Sequence, residues 1–379
     1  MVEQAQHESG VPSRADALTA ISQPARIADA GTGIGLDELR LAARNHGMPL
    51  EALRYEVTPA GLHYVLVHYD IPAINAADWS LRVDGAVRRP ITLGIDDLDH
   101  RARRTLRVTL ECAGNGRAKL LPRPVSQPWL DEAVGTADWA GVPLAPLLRD
   151  AEPLPEAVDV VFTGADHGVE RGVEQDYQRG LPIAEALRDE ALLADRMNGA
   201  PLPPQHGYPL RLIIPGWYGM AHVKWLRRIT VLTRPFDGFQ NAVAYRVKRS
   251  AADPGEPVRR IRPRALIVPP GFPDFMSRTR FVPPGEHLIE GRAWSGTGPV
   301  VRVEFSADSG ASWQVAELSR PAEPWGWSSF RVRWLATPGR YELLVRAADD
   351  AGHVQPVHER WNTQGMANNM AQRVPVVVG

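Results

Sequence analysis

Apolar and polar residues alternate along much of the chain, and the alternation predicts two regions built mainly from strands. In the first region, strand-type patterns occupy residues 79–87, 104–114, 158–164, 208–216 and 223–233. Helix-type spacing occupies residues 35–47, 144–151 and 183–197, and the last of these begins after Pro182. Because strands and helices do not follow one another in a regular βαβ order, we expect an α+β fold.

A stretch rich in proline and glycine, residues 251–285, separates the two regions and is interpreted as an interdomain connection. After it, strands are predicted at 288–296, 300–308, 313–319, 328–336, 339–352 and 373–379. Short strands with regular turns over about 100 residues are typical of an antiparallel β-sandwich. We predict a frayed N-terminal arm at 1–45 that ends in a short helix, a first domain at 46–255 and an all-β second domain at 256–379.

The length of 379 residues favours two domains, since it exceeds what one ordinary core holds. A net charge of −1 gives no reason to expect nucleic acid or an anionic membrane as a partner. No apolar run approaches the ~20 residues of a membrane span, and no export signal is recognisable, so we expect a cytoplasmic protein. A single cysteine excludes an intrachain disulfide and any four-cysteine metal site.

That cysteine, Cys112, lies where a predicted strand ends and the turn "AGNG" begins. A core cysteine usually lies inside an apolar run, whereas a sulfur at a strand end can project into a cleft. Three interpretations stay open: a structural thiol, a nucleophile, or the ligand of a soft metal whose other ligands come from a cofactor. The bases available to a nucleophile are His68, His206 and His222. Arg117, five residues on, favours a thiolate and an anionic substrate.

A second group of candidates lies in residues 205–229, where His206, Arg211, His222 and Lys224 surround two glycine-containing turns. Cations beside exposed backbone amides can hold a phosphate and a polar heterocycle. A β-hairpin with solvated basic residues gives the same pattern, so the spacing alone leaves both interpretations open.

Taken together, these segments resemble the sulfite oxidase family of molybdenum enzymes. The resemblance rests on "CAGNGR" at 112–117, "TADWAGVPL" at 136–144 and "MNGAPLPPQHGYPLRLIIPGWYGMAHVKWL" at 197–226. Residues 291–318 resemble the immunoglobulin-like dimerisation domain of that family. The resemblance implies an α+β molybdopterin-binding domain, an all-β immunoglobulin-like sandwich and a homodimer.

In this family, as the resemblance implies, molybdenum is held by one molybdopterin, two oxygen ligands and a single protein cysteine. Cys112 would be that metal ligand, which accounts for a long chain with one thiol. A c-type haem attachment motif needs two cysteines, so we expect no haem. Electrons would then pass to a separate acceptor of unknown identity.

The resemblance also implies the remaining site residues. The substrate pocket would contain Arg117, Trp129, His68 and Tyr245, with the Tyr245 hydroxyl near the reactive oxygen. The molybdopterin and its phosphate would be held by Val65, Leu66, Val67, His68, Tyr69, Asp166, His206, Arg211, His222, Val223 and Lys224.

Two arginines of the sulfite-oxidising pattern are missing. Where the family has an "RNH" stretch, this chain has Val67-His68-Tyr69, and an "ARNHG" at 43–47 lies too far upstream to replace it. Where the family has the arginine of "WNLRG", this chain has Gln364. A charge-assisted hydrogen bond contributes roughly 1.5–3 kcal/mol. We therefore expect weak binding of a dianion such as sulfite, compensated in part by a protonated His68.

The expected activity is oxidation of sulfite, or of a related small oxoanion, by oxygen-atom transfer. The "GMANN" after Gln364 is similar to the assimilatory nitrate reductases of the family, so reduction of an S- or N-oxide stays an alternative. A metal-free binding module on the same fold is a second alternative. Two other motifs are set aside: "GTGIGL" at 31–36 lacks the strand of a dinucleotide loop, and "HVQPVH" at 353–358 lacks a third metal ligand.

Overall fold

The computed structural model describes residues 13–250, 252–319, 321, 323–358 and 360–379, in which strands predominate. Helices α1 to α5 span Arg14–Ile21, Leu36–Arg44, Ile95–Asp99, Leu144–Asp150 and Ile183–Ala186. Strands β1 to β13 span Arg26–Ile27, Leu81–Gly85, Ile91–Leu93, Arg104–Glu111, Pro124–Val125, Val134–Pro143, Asp159–Glu170, Val173–Pro182, Leu192–Met197, Ala200–Pro201, Arg211–Ile213, Leu226–Leu232 and Arg246–Val247. Strands β14 to β24 span Glu256–Pro257, Arg264–Ile267, Phe272–Pro273, Arg280–Val282, Gly285–Trp294, Val300–Ser306, Gln314–Val315, Glu317–Ser319, Ser328–Ala336, Gly339–Asp349 and Gln372–Val378.

Two five-stranded sheets form the first part of the molecule. One has the order β3-β2-β12-β7-β8, in which β2 and β12 are parallel and the other neighbours antiparallel. The other has the order β10-β9-β6-β4, with β11 also paired to β9. Both sheets contribute to one apolar core, to which Leu81, Phe162 and Leu212 belong. This mixed α/β arrangement agrees with the predicted α+β fold of the first domain.

Two further sheets form the second part, with the orders β15-β18-β22-β21 and β16-β17-β24-β23-β19-β20. Their inner faces share a core that includes Ile289, Phe330 and Val345. Along β22 buried and more exposed residues alternate strictly, which is the period-two pattern from which the strand was predicted. The last residues of the chain, in β24, pair with both β17 and β23.

The interdomain connection is shorter than the predicted 251–285. From Arg264 onward the chain already belongs to the second pair of sheets, because β15 pairs with β18 and β17 pairs with β24. The prolines that suggested a linker lie between and within these short strands, at Pro263, Pro269, Pro270 and Pro273. Proline density marks strand ends here as well as linkers.

The helix predicted over 183–197 is wrong in its second half. Helix α5 ends at Ala186, and β9 occupies Leu192–Met197. Leu192, Leu193 and Ala194 are fully buried, and β9 pairs with β6 on one side and with β11 on the other. An interior position in the sheet therefore overrides the helix propensity of this leucine- and alanine-rich segment.

The N-terminal arm is attached rather than frayed from residue 13 onward; residues 1–12 lie outside the described part. Strand β1 pairs with β5 in the first domain. Within α2, Glu38 forms a buried ion pair with Arg123, which also donates to the carbonyl oxygen of Gly33 at 2.7 Å. None of the described helices combines the length and the apolar character needed to cross a membrane.

Candidate active site

Cys112 follows the last residue of β4, and a network of hydrogen bonds fixes the turn around it. Its amide donates to the Ala133 carbonyl at 2.9 Å, and its Sγ accepts from the Gly114 amide at 3.4 Å. The Asn115 side chain bridges the turn to the neighbouring segment, accepting from the Ala133 amide at 3.1 Å. Burial raises the pKa of the Cys112 thiol, and the Arg117 charge and the Gly114 amide oppose that rise.

Two cavities meet at Cys112. The smaller one, of about 690 Å³, is lined by basic and aromatic residues of the first domain. The larger one, of about 1400 Å³, reaches from Cys112 to the N-terminal arm and to the loop around Gln364. The residues that line both cavities are Leu66, His68, Cys112 and Tyr245. The sulfur therefore lies where a group bound in the smaller cavity and a molecule in the larger cavity would meet.

Most of the residues predicted to hold the molybdopterin line the smaller cavity: Val65, Leu66, His68, Asp166, His206, Arg211, His222 and Lys224. Three do not. Val67 and Tyr69 line the larger cavity instead. Val223 is buried in the main apolar core and lies on the wall of neither cavity. The segment Val65–Tyr69 thus divides between the two cavities rather than covering one of them.

Arg211 and Lys224 bring positive charge into the smaller cavity. Lys224 Nζ donates to the carbonyl oxygens of Leu66 at 2.7 Å and Gln205 at 3.0 Å, which uses two of its three protons. Burial, with the nearby Arg211 charge, lowers the pKa of Lys224 to about 7, and burial lowers that of Arg211 to about 10. Neither cation has a carboxylate within ion-pair distance among the described residues. Such a pair of buried cations suits an anionic ligand.

The two histidines predicted for this cavity differ in what they can still bind. His222 Nδ1 accepts from the Ile214 amide at 3.1 Å and Nε2 donates to the Trp217 carbonyl at 3.0 Å, so both ring nitrogens are used within the protein. His206 Nε2 is buried and has no hydrogen-bond partner in the described part of the chain. Burial lowers the pKa of His222 to about 3 and that of His206 to about 2, so both rings are neutral. His222 is a positioning residue, and His206 is free to contact a ligand.

The residues of the smaller cavity fit a molybdopterin. Besides His206 Nε2, three further buried polar atoms around it find no partner among the residues that the structure describes: His63 Nε2, Arg211 Nε and Asp166 Oδ1. Burial raises the pKa of Asp166 to about 6, so its carboxyl can act as donor or acceptor near neutral pH. Unsatisfied donors and acceptors match the polar edge of a pterin, and the two cations match a phosphate. His63 was missed from the sequence.

In the larger cavity, Arg117 is held by main-chain oxygens and a sulfur rather than by an acid. Its Nε donates to the Gln364 carbonyl at 3.0 Å, and Nη2 lies 3.5 Å from Met366 Sδ. Gly114 and Gly365 leave room for it, since a Cβ at either position would lie within 2.7 Å of the arginine side chain. Burial lowers the pKa of Arg117. A buried guanidinium that has no carboxylate partner among the described residues favours an anionic ligand next to Cys112.

Trp129, Tyr245 and Gln364 also line the larger cavity, as predicted for the first two. Gln364 Oε1 is buried and has no hydrogen-bond partner among the described residues, and the Trp129 side chain helps to hold down the pKa of the Cys112 thiol. Burial raises the pKa of Tyr245, so its hydroxyl stays protonated and can donate a hydrogen bond. The position of Gln364 on this wall supports the comparison in which it replaces an arginine.

His68 is not a free cation. Its Nε2 lies 2.7 Å from Glu170 Oε2, a carboxylate that was not predicted from the sequence and that lines the same cavity.

The "ARNHG" segment, which was not expected at the site, also contributes to the larger cavity. Asn45 lines the larger cavity, and its Oδ1 accepts from the Val67 amide at 2.7 Å. Only the fold brings Asn45 and Glu170 close to Cys112, because both are far from it in the sequence.

The comparisons with known proteins agree with this geometry. A model of the oxidoreductase molybdopterin binding domain matches residues 68–240, and one of the Mo-co oxidoreductase dimerisation domain matches 264–379. Mitochondrial sulfite oxidase of Homo sapiens is 33% identical over 347 residues, covering 85% of this chain and 62% of that protein. Nitrate reductase [NAD(P)H] of Betula pendula is 32% identical over 364 residues, covering 87% and 40%. The crystal structure of the sulfane dehydrogenase SoxCD from Paracoccus pantotrophus has a TM-score of 0.76 at 25% identity, covering 98% and 92%.

The fold and the cofactor cavity thus define a molybdopterin-binding domain followed by a dimerisation domain. The chain belongs to the sulfite oxidase family of molybdenum oxidoreductases, which confirms the resemblance found in the sequence. It spans 62% of the length of human sulfite oxidase and 40% of that of the Betula pendula nitrate reductase.

Proposed function

We propose that this protein oxidises an anionic sulfur compound, with sulfite as substrate. Sulfite and water would give sulfate, two electrons and two protons, and the electrons would leave to a separate acceptor. The observation that carries the proposal is the position of the Cys112 sulfur, between a basic cavity that fits a molybdopterin and a larger cavity that contains the buried Arg117.

When bound, the molybdenum of the cofactor supplies two-electron oxygen-atom transfer. The residues of this chain bind and orient. Cys112 would provide the thiolate ligand, while Arg211 and Lys224 would hold the phosphate. Arg117 would hold the substrate oxygens, and the Tyr245 hydroxyl, kept protonated by burial, would donate a hydrogen bond beside them.

Two related substrates compete with sulfite. The neighbour of known structure is titled a sulfane dehydrogenase, which makes a sulfur compound longer than sulfite the first competitor. The second is reduction of an N-oxide such as nitrate. The replacement of an arginine by Gln364 on the cavity wall favours it, because a monoanion needs fewer cations than a dianion.

We further propose that the second domain is an immunoglobulin-like sandwich through which the protein forms a homodimer. Two facing sheets with a common core and the match to a dimerisation domain support this. Size-exclusion chromatography with light scattering should give about twice the chain mass of 41.7 kDa. The absence of haem, and the cytoplasmic location, stay predictions from the sequence.

The deciding experiment measures sulfite-dependent reduction of ferricyanide, an artificial one-electron acceptor, by protein whose molybdenum content is verified by mass spectrometry. Cys112→Ser, purified in parallel, serves as the blank and should lose turnover. Molybdenum-loaded protein that fails to oxidise sulfite would overturn the sulfite assignment. Nitrate reduction by the same preparation with a reduced viologen dye would then support the second competitor.

A further inference from the structure

An arginine occupies the tip of the β7–β8 hairpin against local conformational preference. The two strands are joined by Arg171 and Gly172, whose φ angles are +52° and +78°. A two-residue turn with both φ angles positive favours Asn-Gly, because in the left-handed region the Cβ crowds the following carbonyl oxygen, and the short polar side chain of Asn offsets this by a local hydrogen bond. A strained residue at the edge of a cavity points to a role for its side chain.

Arg171 lines the larger cavity together with Arg117. Its guanidinium carbon lies 5.9 Å from the centre of the Phe239 ring, and no carboxylate lies within ion-pair distance among the described residues. The other charged groups of the cavity are already paired: Arg26 with Asp37 at 2.7 Å, Glu38 with Arg123, and Glu170 with His68. Arg117 and Arg171 are therefore the cations of this cavity that form no ion pair with a described residue, although the charge of the nearby Glu170 acts on both.

The charge of Arg171 acts on Arg117. Burial is the main reason that the pKa of Arg117 is lowered, and the charge of Arg171 lowers it further. Two like charges facing one cavity repel, and that repulsion is relieved when an anion binds between them. An anion with charge on more than one oxygen would gain most, since it can accept from both guanidinium groups.

We propose that Arg171 is a substrate-binding residue, which holds an oxoanion jointly with Arg117 and supplies part of the positive charge that the chain lacks at Val67 and Gln364. This inference rests on the proposed function, whose substrate class it narrows to dianions such as sulfite over monoanions such as nitrate. It also replaces the expectation that a protonated His68 compensates for the missing arginines, because His68 is paired with Glu170.

The kinetic test uses Arg171→Asn, which removes the charge and suits the turn, and Arg171→Lys, which keeps the charge. We expect Arg171→Asn to raise the KM for sulfite about 10- to 100-fold with kcat nearly unchanged, and Arg171→Lys to recover most of that loss. The matched control is Arg278→Asn, since Arg278 also has a positive φ of 58° but lies in an exposed turn away from the cavity. It should leave KM unchanged. A loss of kcat alone, or no rescue by lysine, would overturn the proposal.

A binding measurement separates this inference from the proposed function. Isothermal titration calorimetry with sulfate and with nitrate needs no turnover. We expect the wild-type protein to bind sulfate more tightly than nitrate, and Arg171→Asn to weaken sulfate about tenfold or more. Equal sulfate affinity in wild type and Arg171→Asn, or no sulfate binding by wild type, would overturn the role of Arg171. If sulfate binding depends on Arg171 but sulfite is not oxidised, the proposed function fails and the anion site stands.

Discussion

Arg264, at the start of the second domain, forms a buried ion pair with Glu111, the residue immediately before Cys112. The Arg264 Nε lies 3.0 Å from Glu111 Oε1, and each side chain is 1% exposed. Glu111 also accepts from Trp294 Nε1 at 2.8 Å and from Asn115 Nδ2 at 3.1 Å. The second domain therefore fixes the end of β4, and with it the position of the cysteine sulfur.

Replacing Arg264 by Met should destabilise the protein strongly. Removing one partner of a buried pair leaves an uncompensated charge, which typically costs about 3–5 kcal/mol. Burial already raises the pKa of Glu111, so the carboxyl can take up a proton when its counter-charge is lost. The loss should be smaller at pH 5 than at pH 8. Thermal unfolding followed by tryptophan fluorescence, with molybdenum content measured on the same samples, checks this.

An exposed pair of the same domain provides the control. Arg331 contacts Glu317 through two hydrogen bonds of 2.7 and 2.8 Å, and both side chains are more than half exposed. Arg331→Met should therefore change the unfolding free energy by only about 0–1 kcal/mol. Equal losses in the two variants would show that burial of the Glu111 pair is unimportant.

Lys224 should make the stability of cofactor-free protein depend on pH. Burial lowers its pKa to about 7, whereas an unfolded chain has a lysine pKa of about 10.4. Between these values the unfolded state holds a proton that the folded state has lost, so the free energy of unfolding should rise with pH across this window. The measurement is denaturant unfolding of wild type and Lys224→Met between pH 6.5 and 10. The unfolding free energy of the wild type, minus that of Lys224→Met, should increase as pH rises through this window. A difference that stays constant with pH would contradict the role of Lys224.

The sequence was sufficient for the features that depend on local pattern. Strict alternation predicted β22, and the cysteine at the end of β4 led to Cys112 as the centre of the site. The sequence was insufficient where pairing between distant strands determines the secondary structure. The segment 192–197 has helix-type composition but lies between two strands, and no local pattern reveals that environment.

Long-range packing also explains why several site residues could not be predicted from the sequence. Glu170 and Arg171 belong to a hairpin tip, Asn45 to the arm, and His63 to an irregular segment, and each reaches a cavity wall only through long-range packing. In the other direction, Val223 was expected at the cofactor because it lies between His222 and Lys224 in sequence. Val223 instead belongs to the main apolar core, and the bends on either side of it bring His222 and Lys224 to the wall of the smaller cavity.

The N-terminal arm should loosen when its buried ion pair is removed. Glu38→Gln deletes the charge that pairs with Arg123 inside the wall of the larger cavity. Arg123 would keep its hydrogen bond to Gly33 but lose its counter-charge, which favours detachment of the arm. Hydrogen–deuterium exchange of residues 23–45 should rise at least tenfold while exchange in β22 stays unchanged. Arg40→Gln, which removes an exposed partner of Asp37, is the control and should leave both segments protected.

Glu170 should weaken anion binding in the wild-type protein. Burial alone would raise the pKa of this carboxyl, but the hydrogen bond from His68 holds it below its usual value, so Glu170 is ionised at pH 7. Because it lines the same cavity as Arg117, Glu170→Gln should tighten sulfate binding several-fold, up to about tenfold. Its control is Glu174→Gln on the same hairpin, a carboxylate that pairs with Arg14 and His167 and does not line the cavity. Calorimetric titration with sulfate at pH 7 compares the three proteins. Weaker sulfate binding by Glu170→Gln would mean that the position of His68, which Glu170 fixes, matters more to the anion than the charge it removes.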